Sequence, residues 1–192
     1  SMLVHPSTSR AVHTEYKEWM DGIIRDYGKA YKSKAYNTKD KSKRVDFSFS
    51  EIEKDFLSSY EEIKKTEKNF PKYDDKLIIY IHRALEEIKN NIELFNAEHG
   101  SIPFIDWDSA DFYAKILIGG IGLERGYTIN GLTVSYVVRE SGTDDTVYQR
   151  ARFFGYHKSY IGFVRMYLTA DLISNFEDQY GQEIVIREKM QE

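Results

Sequence analysis

No cysteine occurs among the 192 residues. That absence removes disulfides, thiolate nucleophiles and cysteine-ligated zinc together, and it is compatible with a reducing cytoplasm, the expected location. Proline is almost as scarce, with only Pro6, Pro71 and Pro103, and the first two mark breaks between patterned segments. Positive charge is not in excess: 27 Lys and Arg against 31 Asp and Glu leave a net charge of -4. Contact with a polyanion therefore has to come from a local patch. No apolar run approaches the length of a bilayer span, and the amino end carries no basic-then-apolar signal region. The chain reads as soluble, without a membrane partner, and long enough to bury one sizeable core.

Two nucleotide motifs are missing as well. A phosphate loop needs Gly-Lys-Ser/Thr, yet the single Gly-Lys pair, Gly28-Lys29, is followed by Ala30. A dinucleotide fingerprint needs a helix directly after its glycines, whereas Gly119 to Gly126 runs through Thr128-Ile129-Asn130-Gly131 into a second β-rich segment. The chain has no visible means of holding a nucleoside triphosphate alone.

What is present centres on residues 116–156. The apolar run Ile116-Leu117-Ile118 enters the glycine-rich turn Gly119–Gly126. Leu132–Val138 is a second apolar run, and from Asp144-Asp145 a helical pattern carries Gln149, Arg150 and Arg152. Backbone N–H groups in such a loop, beside a helix bearing arginines, can hold a polyanion or nucleotide. Glycines used only for turns and close packing are the plainer alternative.

The series Gly119-Gly120-x-x-Leu123-x-Arg125-Gly126-x-Thr128-x-x-Gly131-Leu132, followed by Arg139, Gln149, Arg152 and Phe154-Gly155-Tyr156, closely resembles the signature of the bacterial Z-one domain. That domain occurs in large proteins labelled as endonucleases and is similar to the second RecA-like half of a superfamily-two helicase. The resemblance implies that Gly119, Gly120, Arg125, Gly126 and Thr128 form the loop coupling nucleotide state to the nucleic-acid backbone. It also implies that Gln149 and Arg152 supply an arginine-finger motif. ATP and Mg²⁺ would then be bound only together with a preceding domain, in a restriction or phage-defence setting with nuclease or methyltransferase partners, and the isolated chain would be inactive. This chain departs from the family pattern at Ile121, Ala151 and His157, which weakens the implied phosphate clamp. A non-catalytic nucleic-acid or protein-binding module with the same fold is the alternative.

Elsewhere the residues speak for themselves. Ser1-Met2 resembles a cloning remnant ahead of a short strand, Met2–His5, which suggests a fragment of a longer protein. A turn, Pro6–Arg10, leads to a helix over about 11–27 with Trp19, Met20, Ile23 and Ile24 inward. The helicase-like resemblance implies that this strand and turn touch a nucleic-acid backbone, which makes Ser7, Thr8 and Arg10, with His5, Ser9 and His13, candidate contacts. Capping hydroxyls and a packed histidine are the other reading. Residues 28–72 read as a helical, lysine-rich insertion, in which Lys39, Lys41 and Lys43 and the rings of Tyr27, Tyr31 and Tyr36 suit single-strand binding or a solvated linker.

Within that insertion the spacing predicts a helix over 50–68, with a capping box between Ser50 and Glu53. A second helix follows over 75–89. A strand at 92–96 precedes a loop in which Asp106 and Asp108 suit Mg²⁺ or, more simply, a helix cap; no metal is assigned. A buried strand over 163–168 and a helix over 170–180 broken at Gly181 complete the chain. Together these elements predict one domain, an open and mainly parallel α/β sheet with helices on both faces, which the resemblance implies is RecA-like. Its functional loops should gather at the carboxyl ends of the strands.

Overall fold

In strand β1, Met2–His5, consecutive residues Leu3 and Val4 are 0% and 2% exposed. Neighbours in a strand point to opposite faces, so both faces of this strand are covered, as a parallel sheet requires. A computed structural model describes residues 1–36, 49–95, 114–120, 129, 131–138 and 158–190. Its strands are β1, β2 (Ile92–Phe95), β3 (Ile116–Gly119), β4 (Val134–Val137) and β5 (Arg165–Leu168). They form one sheet in the order β2-β3-β1-β4-β5. Every neighbouring pair is parallel, with Met2 beside both Ile116 and Val134. The helices are α1 (Arg10–Tyr36), α2 (Phe49–Thr66), α3 (Asp75–Ile88) and α4 (Ala170–Lys189). The expected open α/β architecture is what the chain adopts.

The core lies on the sheet face of Val4, Ile92, Ile116 and Ile118, packed by Ile24 and Tyr31 of α1, Ile52 of α2, and Ile78 and Leu85 of α3. Leu3 and Leu117 on the opposite face are fully buried, as is Leu172 of α4. Among the described residues no helix is long and apolar enough to cross a membrane.

Several local expectations change. α1 does not stop before Gly28 but continues to Tyr36. A helical glycine costs about 1 kcal/mol against alanine, but here the absence of a side chain lets α3 approach: a Cβ on Gly28 would lie 3.4 Å from Glu86 Oε1. Burial of Ala30 and Tyr31 beyond it outweighs the cost. The buried stripe of α1 is also rotated. Ile24, Gly28 and Tyr31 face the core, while Trp19 and Ile23 are 53% and 44% exposed, Trp19 packing on the Tyr16 ring at 5.0 Å.

α2 starts one residue before Ser50, which is therefore inside the helix rather than its cap, and Glu53 instead accepts a hydrogen bond from the Tyr73 hydroxyl at 3.2 Å. α3 has a side-chain cap, with Leu77 N–H donating to Asp74 Oδ1 at 3.0 Å. The strand expected as buried over 163–168 is a 3-10 turn at Ile161–Phe163 followed by β5, an edge strand with Met166 and Tyr167 exposed. Thr169 caps α4, which runs through Gly181. Beyond it Glu183 and Arg187 pair across one turn.

Candidate nucleic-acid site at the carboxyl edge of the sheet

β1 and β3 lie side by side, yet the chain leaves them in opposite directions. From β1 it travels by way of α1 towards β2, whereas from β3 it crosses β1 to reach β4. Adjacent parallel strands whose connections leave in opposite directions mark the place beyond their carboxyl ends where open α/β sheets bind ligands. Two of the segments singled out in the sequence meet there: Ser7, Thr8 and Arg10 after β1, and Gly119 and Gly120 at the end of β3.

The junction is tight. His13 Nε2 lies 2.7 Å from the Ser7 carbonyl oxygen; a carbonyl can only accept, so this ring nitrogen carries the proton. A Cβ added at Gly120 would lie 3.2 Å from His13 Cε1 and 3.3 Å from the same Ser7 oxygen. Glycine is needed here for close approach, not for an unusual backbone angle. His13 is 2% exposed and bonded to main chain, so it holds the turn's shape from beneath; His5 is equally buried. Ser9 N–H donates to Ser7 Oγ at 3.1 Å, and the His13 N–H donates to the Ser9 carbonyl at 3.1 Å, which opens α1. Thr8, Ser9 and Arg10 remain exposed.

The start of α1 differs from the other helix starts. α2, α3 and α4 carry Glu51, Asp75 and Asp171 in their first turns; α1 has no acid there and begins with Arg10. A helix amino end has partial positive charge and favours anions, so an arginine in place of a carboxylate is locally unfavourable. The same pairing of N–H groups with a guanidinium suits an incoming phosphate.

On the other side of the crossing, Gly131 has φ of 66°, in the left-handed region, and its carbonyl accepts from the Ser1 ammonium at 2.7 Å. Burial lowers the pKa of that ammonium. Ile129 and Leu132 flank the turn at 4% and 0% exposure and anchor the return of the loop into β4. The remaining site candidates, Arg125, Gly126, Thr128, Gln149, Arg152, Lys39, Lys41 and Lys43, lie outside the described residues, as do Asp106 and Asp108.

Two of the three rings of the proposed stacking segment are taken up by packing. Tyr31 is 0% exposed, with its hydroxyl 3.4 Å from that of Tyr73; burial and then that contact push its pKa up. Tyr27 packs on Phe56 and bonds Asp55. These rings belong to the α1–α2 interface because α1 is longer than its sequence pattern implied. Tyr36 is half exposed and stands edge-on to His82, with ring centroids 5.4 Å apart. Burial lowers the pKa of His82, against an opposing pull from Glu86, and its Nδ1 is buried without a partner.

The opposite end of the sheet holds a second feature. A cavity of about 690 Å³ lies at the amino ends of the strands, walled by Met20, Ile24, Ile63, Val134 and Tyr167. Its arginine is structural: Arg165 donates to the carbonyls of Gly162, Val164 and Glu62 at 3.0, 2.8 and 3.0 Å, and to Thr66 Oγ1 at 2.7 Å. It ties α2 to β5 and has little left for a ligand.

A packed histidine is one of the two readings of the turn, but the sequence does not disclose the contact of His13 with Gly120, since Gly120 is distant in the chain and no local spacing reports it. Neither curated proteins nor solved structures give a match. A family model described as Z1 domain matches residues 1–192. The glycine signature, the parallel sheet and the match over the whole chain agree, and the chain belongs to the Z1, or Z-one, domain family.

Proposed function

We propose that this domain is the second RecA-like half of a helicase-like ATPase that grips DNA and completes an ATP site on a preceding domain, in a restriction or phage-defence system. The observation that supports this reading is the meeting of the turn after β1 with the end of β3. There an acid-free helix start bearing Arg10 adjoins the paired glycines Gly119 and Gly120. A backbone phosphate would be held by the first N–H groups of α1, the Ser7 and Thr8 hydroxyls and the Arg10 guanidinium.

The loop continuing from Gly120 through Arg125, Gly126 and Thr128 would link that grip to nucleotide state. Gln149 would orient Arg152 towards ATP and Mg²⁺ on the other domain, where a guanidinium stabilises charge spread over the transferring phosphoryl oxygens. Lys39, Lys41 and Lys43 would extend the path of the strand without base stacking from Tyr31.

The test is binding of a labelled single-stranded DNA to this chain by fluorescence anisotropy across a salt series. Arg10→Ala should reduce the slope of log K against log salt by about 0.7, and neutralising Lys39, Lys41 and Lys43 together by about 2. Unchanged slopes in both variants would reject the contacts. When the domain is joined to its ATP-binding partner, Arg152→Ala should leave DNA binding intact and lower turnover at least about a hundredfold. Ala151 and His157, where the family pattern has glycine and a second arginine, favour one other outcome: equal DNA binding with no turnover in either protein, as a non-catalytic binding module.

A further inference from the structure

We infer that His82 is a proton-sensitive latch: while neutral it holds the end of α1, residues 32–36, against α3, and once protonated it lets that end go. The ring is 6% exposed. It stands between α1 and α3, bonded to the main chain of Gly28 and meeting the Tyr36 ring edge-on with centroids 5.4 Å apart. Its Nδ1 is enclosed without a partner. A neutral ring can leave that nitrogen as a bare lone pair, whereas an imidazolium has to find an acceptor or water for a second N–H and for its charge.

The carboxylate that acts on the ring, Glu86, is engaged elsewhere. Lys89 Nζ donates to its Oε2 at 2.6 Å, and its Oε1 lies 3.4 Å from where a Cβ on Gly28 would stand. The other charged groups acting on His82 are Lys32 of α1 and Lys89 of α3, and both oppose a further positive charge.

What yields is the end of α1. Tyr31 is fully buried, but none of residues 32–36 is. Lys34 stands over the Phe49 ring at 5.6 Å, Ala35 reaches the core only in part, and Tyr36 is half exposed. The last carbonyls of a helix have no partner within it, and such ends open at a small cost in free energy while buried turns do not. Moving Tyr36 aside would bring water to the imidazolium and leave Ile24 and Tyr31 in place.

Burial, against the pull of Glu86, holds the latched ring below its ordinary value near 6.5, which the released ring regains. The released form therefore takes up the proton first, so the latch is firm above that value and weakens as pH falls below it. It sits where α1 leads into the lysine-rich segment, and it works whether or not that segment binds DNA.

Nuclear magnetic resonance of this chain tests the latch. From about pH 7.5 to about pH 5.5 the amides of residues 33–36 should lose hydrogen-exchange protection at least about fivefold, following the titration of the His82 ring, while those of residues 24–31 keep theirs. In Tyr36→Ala the same terminal amides should already be unprotected at the higher pH, and the His82 midpoint should rise towards its ordinary value, because the coupling is reciprocal. His82→Gln should remove the pH dependence of the end of α1; should that variant fail to fold, the Tyr36→Ala titration still decides. A ring that titrates while residues 33–36 stay protected overturns the inference. So does a His82 midpoint unmoved by Tyr36→Ala, or a ring that stays neutral until the whole chain unfolds.

Discussion

The two ends of the parallel sheet are built on different terms. At the carboxyl end, two loop roots and a buried imidazole meet so closely that Gly120 has no room for a methyl group without movement of its neighbours. At the amino end about 690 Å³ is left open between α2 and the strands, and the closure is polar, through Arg165 and Thr66. Dense packing holds a precise backbone shape where the loops after β1 and β3 depart; hydrogen bonds to carbonyls tolerate slack at the other end. The comparison also separates two arginines: Arg165 donates to four acceptors, whereas Arg10 begins a helix with no acidic residue in its first turn.

The contrast can be broken most strongly at Gly120. Gly120→Val should cost about 1–3 kcal/mol in urea unfolding, because the added methyls meet the Ser7 carbonyl as well as the His13 ring. It should also lower DNA affinity, and wild-type stability in this variant would mean that the crossing is looser than described. At the amino end, Arg165→Met should cost about 1–2 kcal/mol, since Thr66 and three carbonyls lose a charged donor but some of them can turn to water. DNA affinity should not change, and a loss there would blur the division between the two ends. Filling the cavity should have a still smaller effect of either sign: Ala114→Val is expected to stay within about 0.5 kcal/mol of wild type, whereas a cost like that of Gly120→Val would show the space to be unusable.

The smallest effect is a pH dependence at the α1–α3 contact. Burial favours neutral His82, so its folded pKa lies below the unfolded value. Stability from this group is therefore full above the unfolded pKa near 6.5 and declines as pH falls below it, where the unfolded chain takes up the proton first. Glu86, Lys32, Lys89 and the Tyr36 ring surround it. The acid-side slope of unfolding free energy should be shallower in His82→Gln; an identical slope would assign it to other groups.

Much of the sheet could be read from the sequence because its strands are short apolar runs with clear ends: Ile92–Phe95 and Ile116–Gly119 lie within a residue or so of expectation. Strand order was not legible, since it is set by crossovers far apart in the chain. Both helix ends placed at glycines were wrong for one reason. Gly28 and Gly181 carry a local penalty that continuing the helix outweighs, through burial against α3 in one case and good helix formers with an ion pair in the other. The site divides similarly. Gly119, Gly120, Ser7 and Arg10 could be placed together because strand ends gather loops, whereas the roles of Tyr27 and Tyr31 turned on helix phase, which a single misplaced boundary upsets.

The contact of His13 with Ser7 and Gly120 has a mechanical corollary. α1 spans 27 residues, so it is a rod about 40 Å long, held at its start by that ring and along its far half by α2 and α3. Were the ring to shift and the rod to tilt by about 5° together with the helices packed on it, its far tip at Tyr36 would swing by roughly 3.5 Å. A displacement too small to matter at the strand ends would thus arrive enlarged where the lysine-rich segment begins.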